Sequence, residues 1–404
     1  MADQERAGAR IAALRKTRGW TARELARHAS VSYSLLAKVE SGAAPASPAL
    51  IGAVARALRV DVPRITGQPY LESRGQAGRL HDSVNAIRRS VDTYDLAEDG
   101  IVPRPFAELA ADVKRISDFG QVAKYVQIGT EVPGLLDELA IAVHSAPEDE
   151  RPPLFALLAE AYSGASVITG QLGYLDLRNQ VVERIRWASE LCGDPLRIQR
   201  VRWQRAWSLM SLGAYTQGLT LMEQVRADLG DDITAMNGPT LSLYGSSHLR
   251  SAILTARAAT AGAPGYAQDA WVHIEAAHEA ADRMGGRDRN DYGLAFGPSN
   301  VAQHAVAVAV ELEDGPEAIR RSRTFRLAAS VPSVRRGHHY IDLARAHVMA
   351  GDNEGALRCL QEARRITPQQ TRHHPMVRET VLSIAAARRG REELSLFASW
   401  LGLS

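Results

Sequence analysis

Cysteine is almost missing from this chain of 404 residues: Cys192 and Cys359 stand far apart and alone. A disulfide framework and a CxxC metal pair are thereby excluded, and a reducing cytoplasm is the expected setting. Aromatics are 6% of the chain, so the core must be built from Ala, Leu, Val and Ile. No apolar run approaches the roughly 20 residues of a membrane-spanning helix. The opening MADQERAGARIAALRK is charged and has no apolar h-region, so it is not read as a secretory signal. Lysine is scarce, four of 48 basic residues, and the rest are arginines in an Ala- and Gly-rich background that looks like high-GC coding bias.

Catalytic signatures are missing as well. There is no GxxxxGK(S/T), no GxGxxG after a strand and no GxSxG. In HIEAAHE, His273 and His278 are five apart, whereas a zincin needs two histidines one turn apart on one helix face. The adjacent pairs His338-His339 and His373-His374 diverge by about 100° and read as surface histidines. Cys192, in LCGDP, reads as a small structural residue. The expectation is no enzyme, no cofactor and no metal site.

What is present is asymmetric. Residues 1–70 hold eleven Lys/Arg against five Asp/Glu, a net of +6, and the remaining 334 hold 37 against 41, a net of −4. A basic head on a slightly acidic body points the head at a polyanion. Four short helices can be read in that head. The first covers about 5–18, with Ile11 and Leu14 inward, and ends at Gly19. Thr21 and Glu24 form a T-x-x-E capping box for the second, which buries Leu25, Ala26 and Ala29. After a tight turn at Ser30-Val31, Ser32 caps a third helix over 32–41 with Leu35, Leu36 and Val39 inward, and Gly42 suits its C′ position. Ser47-Pro48 opens a fourth helix that buries Leu50, Ile51, Val54, Ala55 and Leu58. Two short helices around a tight turn, backed by two more, make a helix-turn-helix unit whose third helix leaves Tyr33, Ser34, Ala37 and Lys38 outward.

LRKTRGWTARELARHASVSYSLLAKVESG followed by SPALIGAVARALRV closely resembles the Cro/C1-type (XRE) helix-turn-helix family over residues 6–60. The resemblance implies a lambda-repressor-like bundle that binds an operator in double-stranded DNA, usually as a homodimer. It places Ser32, Tyr33, Ser34 and Lys38 where the family contacts bases or nearby phosphates, with Thr21 and Arg23 completing the candidate set. It also places Arg15 and Glu40 where several members form an ion pair between the first and third helices. Two positions depart from the family: Ala22 stands where a phosphate-contacting Gln is usual, and Ser30 where the turn usually has Gly.

Beyond residue 70 the pattern is helical throughout, with no credible strand. Residues 61–80 read as a turn and linker, helices as about 81–97, 105–128 and 131–145, and PEDERPP (147–153) as a solvated loop. From 153 a helical-pair repeat emerges. Its clearest copy, YIDLARAHVMAGDNEGALRCLQEARRITP (340–368), resembles a tetratricopeptide (TPR) unit, with His347 where an aromatic is usual. Weaker pairs are read with turns near Gly173 and Gly213, at 240–261 with 266–284, at 298–313 with 316–329, and at 375–401 around Gly390. The expected division is therefore a DNA-binding head at 1–68, a helical linker region at 69–152 and a TPR-like α-solenoid at 153–404, all-α as a whole.

Such a solenoid offers a concave face for peptides or proteins. The combination resembles the actinobacterial XRE–TPR regulators and the peptide-sensing quorum regulators of Gram-positive bacteria, which implies a homodimer gated by a peptide or small ligand. Candidate groove residues, taken from the first helix of each pair, are Arg202, Arg205, Tyr244, His248, Asn300, Gln303, His304, His338 and Arg345. The competing expectation is an interaction scaffold for which DNA binding is secondary.

Overall fold

The computed structural model describes residues 6–70, 76–96, 101–230, 232–263, 265–387 and 392–403. Among them the regular elements are helical, with one isolated bridge between Arg289 and Phe296. The head contains α1 (Ala7–Thr17), α2 (Ala22–Ala29), α3 (Tyr33–Glu40), α4 (Pro48–Leu58) and α5 (Val62–Thr66). Next come α6 (Gln76–Asp92), α7 (Phe106–Gln121), α8 (Tyr125–Ser145), α9 (Arg151–Leu172), α10 (Leu175–Leu191) and α11 (Pro195–Ser211). Then follow α12 (Tyr215–Leu229), α13 (Gly238–Thr260), α14 (Tyr266–Arg283), α15 (Pro298–Glu311) and α16 (Gly315–Ser322). The last are α17 (Ser333–Met349), α18 (Asn353–Ile366), α19 (Pro368–His373), α20 (Pro375–Ala387) and α21 (Glu392–Trp400). The all-α architecture, a helix-turn-helix bundle followed by a repeat-like helical region, is the expected one. The chain divides into two compact units, 1–68 with 206–404 and 69–205, the division falling inside α11.

The head follows its local signals closely. Thr21 Oγ1 accepts the Glu24 N–H at 3.2 Å while the Glu24 carboxylate accepts the Thr21 N–H at 2.7 Å, so the capping box is closed from both sides. Ser32 accepts the Leu35 N–H at 3.1 Å and Ser47 the Leu50 N–H at 3.3 Å. Ser30 adopts φ 56°, the left-handed conformation that glycine takes without strain. Ile11, Leu25, Leu36, Val39, Leu50, Val54 and Leu58 are buried together. Helices α1 and α3 meet so closely that a Cβ on Gly8 would lie 1.9 Å from the Val39 carbonyl oxygen. The expected ion pair is bidentate: Arg15 Nε and Nη2 each donate to Glu40 at 2.7 Å, and Arg15 Nη1 donates to the Trp20 carbonyl at 2.7 Å.

Several boundaries differ from the sequence reading. The break expected near residue 130 lies at 122–124, where Ala123 takes φ 56°, and Pro133 sits inside α8. A proline costs one main-chain bond within a helix, but here it is buried and the helix continues. PEDERPP is not a loop throughout: α9 begins at Arg151, and its prolines occupy the first turn, where no N–H is needed. Helix α16 ends at Ser322, well short of the expected 329. The turn expected at Gly390 lies outside the described residues, as do parts of the expected 61–80 linker and of the 261–265 turn.

Unit 69–205 is built by α6 on α8, α7 and α8 on α9, and α9 on α10. Its core gathers Tyr125, Ile128, Val132, Leu136, Leu158, Tyr162, Val181 and Ile185. Trp187 meets Tyr94 and Phe155 edge-on, and Arg184 lies over the Tyr94 ring at 3.6 Å.

Because the Arg15–Glu40 pair is almost closed to water, Glu40→Ala strands a guanidinium inside the head. We expect a loss of about 2–4 kcal/mol, read as a lower urea midpoint at unchanged slope. An unchanged midpoint would mean that the pair adds nothing to the head.

Candidate nucleic-acid interface and the groove of the helical body

The outward side of α3 is open. Tyr33 is 49% exposed, and Ser32, Ser34 and Lys38 are exposed beside it, as are Thr21 and Arg23 at the start of α2. The Arg23 guanidinium lies over the Tyr33 ring, 5.3 Å from its centroid, so the two helices present one joined cationic and aromatic edge. Two candidates have a structural duty besides. The Thr21 hydroxyl is engaged by Glu24, and Ser32 caps α3. Tyr33, Ser34, Lys38 and Arg23 are thus the side chains freest to reach a nucleic acid.

The opposite side of the head is held by the C-terminal helices. Ile11, Leu36, Leu50, Val54 and Ile65 belong to one apolar cluster with Ile341, Leu360, Val377, Val381, Phe397 and Leu401. Within this seam Glu379 of α20 accepts the Ala7 N–H, the first of α1, at 2.9 Å, and also a main-chain bond from Ala46. Burial pushes the Glu379 carboxyl up, although the two amides and the nearby Arg10 and Arg6 oppose it. Gln68 Nε2 donates to the His373 carbonyl at 3.3 Å. On another side of the head, Arg56 of α4 donates to the Gly213 carbonyl and lies over Tyr215, and Gly52 approaches so closely that a Cβ there would be 2.8 Å from Tyr215 Oη.

Residues 6–65 match the family described as helix-turn-helix domain. The head is a helix-turn-helix domain. No curated protein matches the chain. The match, the closed caps and the open α3 face together give the head the form of a DNA-binding regulator's reading module.

Helices α13, α15 and α17 of the body carry several buried polar side chains. Glu311, buried on α15, accepts from Arg257 Nε of α13 at 3.0 Å and from Arg345 Nη1 of α17 at 2.8 Å. Despite burial, the two guanidiniums hold the Glu311 carboxyl down at about 2. One carboxylate thus ties three helices. Asp342 joins Arg345 at 3.2 Å and lies 3.7 Å from His338. Further along, His248 and His273 meet through their Nδ1 atoms at 3.0 Å, and the edge of Tyr244 stands against His248. One of those two nitrogens must donate and the other accept, so the contact excludes double protonation.

The candidates for the groove divide accordingly. Asn300, Gln303, His304, His338 and Arg345 lie on α15 and α17, with Tyr244 and His248 on α13. Arg202 and Arg205 belong to the other unit, where Arg202 donates to Gln199 at 3.1 Å. Arg345 is a strut of the Glu311 triad rather than a free groove side chain. The reading of the adjacent histidines as surface residues holds for His338, which is exposed, but not for His339 and His373, which are buried where neighbouring helices pack against α17 and α19. The sequence reading also missed Arg257, Glu311 and Glu379. The available signal was a single carboxylate in an otherwise apolar helix, Glu311 in AVAVAVELEDG and Glu379 in MVRETVLSI, since a buried carboxylate demands donors. His278, by contrast, is exposed and pairs with Asp282 at 3.0 Å. Among the described residues no group of three or more His, Cys, Asp or Glu is placed to hold a metal ion, and no helix is long and apolar enough to cross a membrane.

Burial keeps five imidazoles neutral: His248 and His304 are held down at about 3, His273 and His339 at about 4, and His374 well below its usual value. Below the unfolded value of about 6.5 the unfolded chain therefore binds more protons than the folded one. Stability is fully present above that value and falls as the pH drops toward 4, visible as a falling melting temperature. A flat profile between pH 7 and 5 would show these rings to be reached by protons in the folded state. Glu379 has the opposite sign: its raised carboxyl favours the fold below about 4.5, and that contribution is lost as the pH rises through the raised value. Glu379→Gln should thus gain stability relative to the parent as the pH rises to 8. Glu379→Ala, which removes the acceptor for two amides, should cost about 1–3 kcal/mol throughout.

Proposed function

We propose that this protein is a sequence-specific transcriptional regulator that binds an operator in double-stranded DNA as a homodimer, gated by a peptide or small ligand in the helical body. In this reading residues 1–68 read DNA, 69–152 connect, and the TPR-like helices of 153–404 sense and assemble. The observation that carries it is the orientation of the head. Its apolar back is sealed against the C-terminal helices, while Tyr33, Ser34, Lys38 and Arg23 stand open to solvent on the face that a helix-turn-helix domain turns to the major groove. Tyr33 and Ser34 supply hydrogen bonds to base edges, and Lys38 and Arg23 supply phosphate contacts. A scaffold with vestigial DNA binding would have no need of intact caps and an open recognition face. Because the seam joins the head directly to α20 and α21, a ligand that shifts the body shifts the head with it.

Fluorescence anisotropy on DNA from upstream of the protein's own gene, compared with scrambled DNA over a salt series, tests the reading. The expected result is preference for the first DNA and a steep fall in affinity with salt as counterions are released. Tyr33→Ala/Lys38→Ala should remove most of that preference, about 10–100-fold. Equal binding of both DNAs, unaltered in the double variant, would sink it.

A further inference from the structure

A cavity of about 580 Å³ opens on α14, α16 and the turn between α15 and α16, and none of the groove candidates on α13, α15 and α17 lines it. Its volume falls in the range of small-ligand sites. Ala267, Trp271, Ile274 and Glu275 of α14 recur at helical spacing and share one face of that helix. Glu317 and Arg321, one turn apart on α16, and Leu312 and Asp314 of the turn complete the lining. Trp271 packs against the core of α13 and α14 and against that of α15, α16 and α17, which fixes its ring.

The charges of this lining are one-sided: three carboxylates stand against one guanidinium. Glu317 is compensated, since Arg320 donates to both of its oxygens at 2.6 Å and Arg321 Nε to one of them at 2.7 Å. Asp314 spends one oxygen on capping α16, accepting the Glu317 N–H at 3.0 Å, and pairs with no cation among the described residues. Glu275 is exposed and has neither a hydrogen bond nor an ion pair among the described residues. Arg321 shows what the aromatic wall accepts: its guanidinium lies over the Trp271 ring, 4.1 Å from the centroid. Two uncompensated carboxylates beside Trp271, Ile274 and Leu312 suit a second cation carried on an apolar stem. An anion is repelled here, and a wholly apolar ligand would strip water from the carboxylates without replacing it. One such side chain does not fill the cavity, and the remaining apolar wall takes a neighbouring residue.

We propose that this cavity binds a short peptide through one arginine or lysine side chain flanked by an apolar residue. The cation meets Glu275 and Asp314, and its stem lies along Trp271, Ile274 and Leu312. The site rests on the sensor reading of the body and names the chemistry that the ligand brings. Arg321 opposes binding, because it already occupies the Trp271 face and repels an incoming cation.

Full-length protein carrying 5-fluorotryptophan at its six tryptophans is titrated, without DNA, with acetyl-Leu-Arg-Leu-amide and followed by fluorine NMR. Trp271→Phe identifies the resonance to watch. The expected result is a saturable shift of that resonance, weakened about tenfold in Glu275→Gln/Asp314→Asn, where asparagine keeps the cap of α16 and the helical circular dichroism is retained. Arg321→Gln, which clears the aromatic face, should strengthen binding about 3–10-fold. Acetyl-Leu-Glu-Leu-amide should leave the resonance in place. No saturable shift with the arginine peptide, an equal shift with the glutamate peptide, or an affinity unaltered in the carboxylate double variant overturns the site. Agmatine, a guanidinium on a bare stem, binding as tightly as the peptide overturns the peptide as occupant. Because no DNA is present, these failures are separate from a failure of DNA recognition in the anisotropy measurement. Peptide bound at Trp271 with DNA preference unmoved would keep the site and remove its sensor role.

Discussion

Glu379 sets a carboxylate into the seam between the helix-turn-helix head and the last helices, and much else depends on that placement. The first N–H of α1 needs an acceptor, since no side chain caps that helix, and Glu379 supplies it. A negative group at a helix start is also favoured by the helix dipole. The same carboxylate receives the Ala46 amide, which fixes the approach to α4. Around it the apolar residues of head and tail form one cluster, so the two parts of the chain share a core. With its back occupied in this way, the head has one open face left, and α3 lies on it.

A second constraint acts inside the body. A carboxylate as deeply buried as Glu311 is tolerable only with full compensation, which Arg257 and Arg345 provide from opposite neighbours. The triad therefore specifies how α13, α15 and α17 line up, more than it adds to stability.

Much of the head was legible in its sequence because its signals are local. Thr21–Glu24, Ser32, Ser47-Pro48 and Gly42 each act within a few residues, and each appears as written. The Arg15–Glu40 pair is legible only through family resemblance, and its bidentate geometry is set by the packing of α1 on α3. In the body, helix existence was readable from periodicity, while ends were not: Pro133 and the prolines after Arg151 stop helices in isolation but are accommodated by position and packing. The buried histidines were misjudged because spacing along one helix says nothing about a second helix covering it. Glu379 and Arg335 act across more than 300 and about 40 residues respectively, and no local pattern encodes such partners.

The close fit of Gly52 against Tyr215, with Arg56 reaching the Gly213 carbonyl, bears on how such proteins are built. Helix-turn-helix heads are commonly treated as interchangeable parts. Here the head's surface is complementary to one particular body, down to the missing side chain at residue 52. Grafting these 68 residues onto another scaffold would leave an apolar back and a helix start without their counterparts. Specificity for DNA can drift by changes on α3 alone, but the rest of the head can change only together with the helices that hold it.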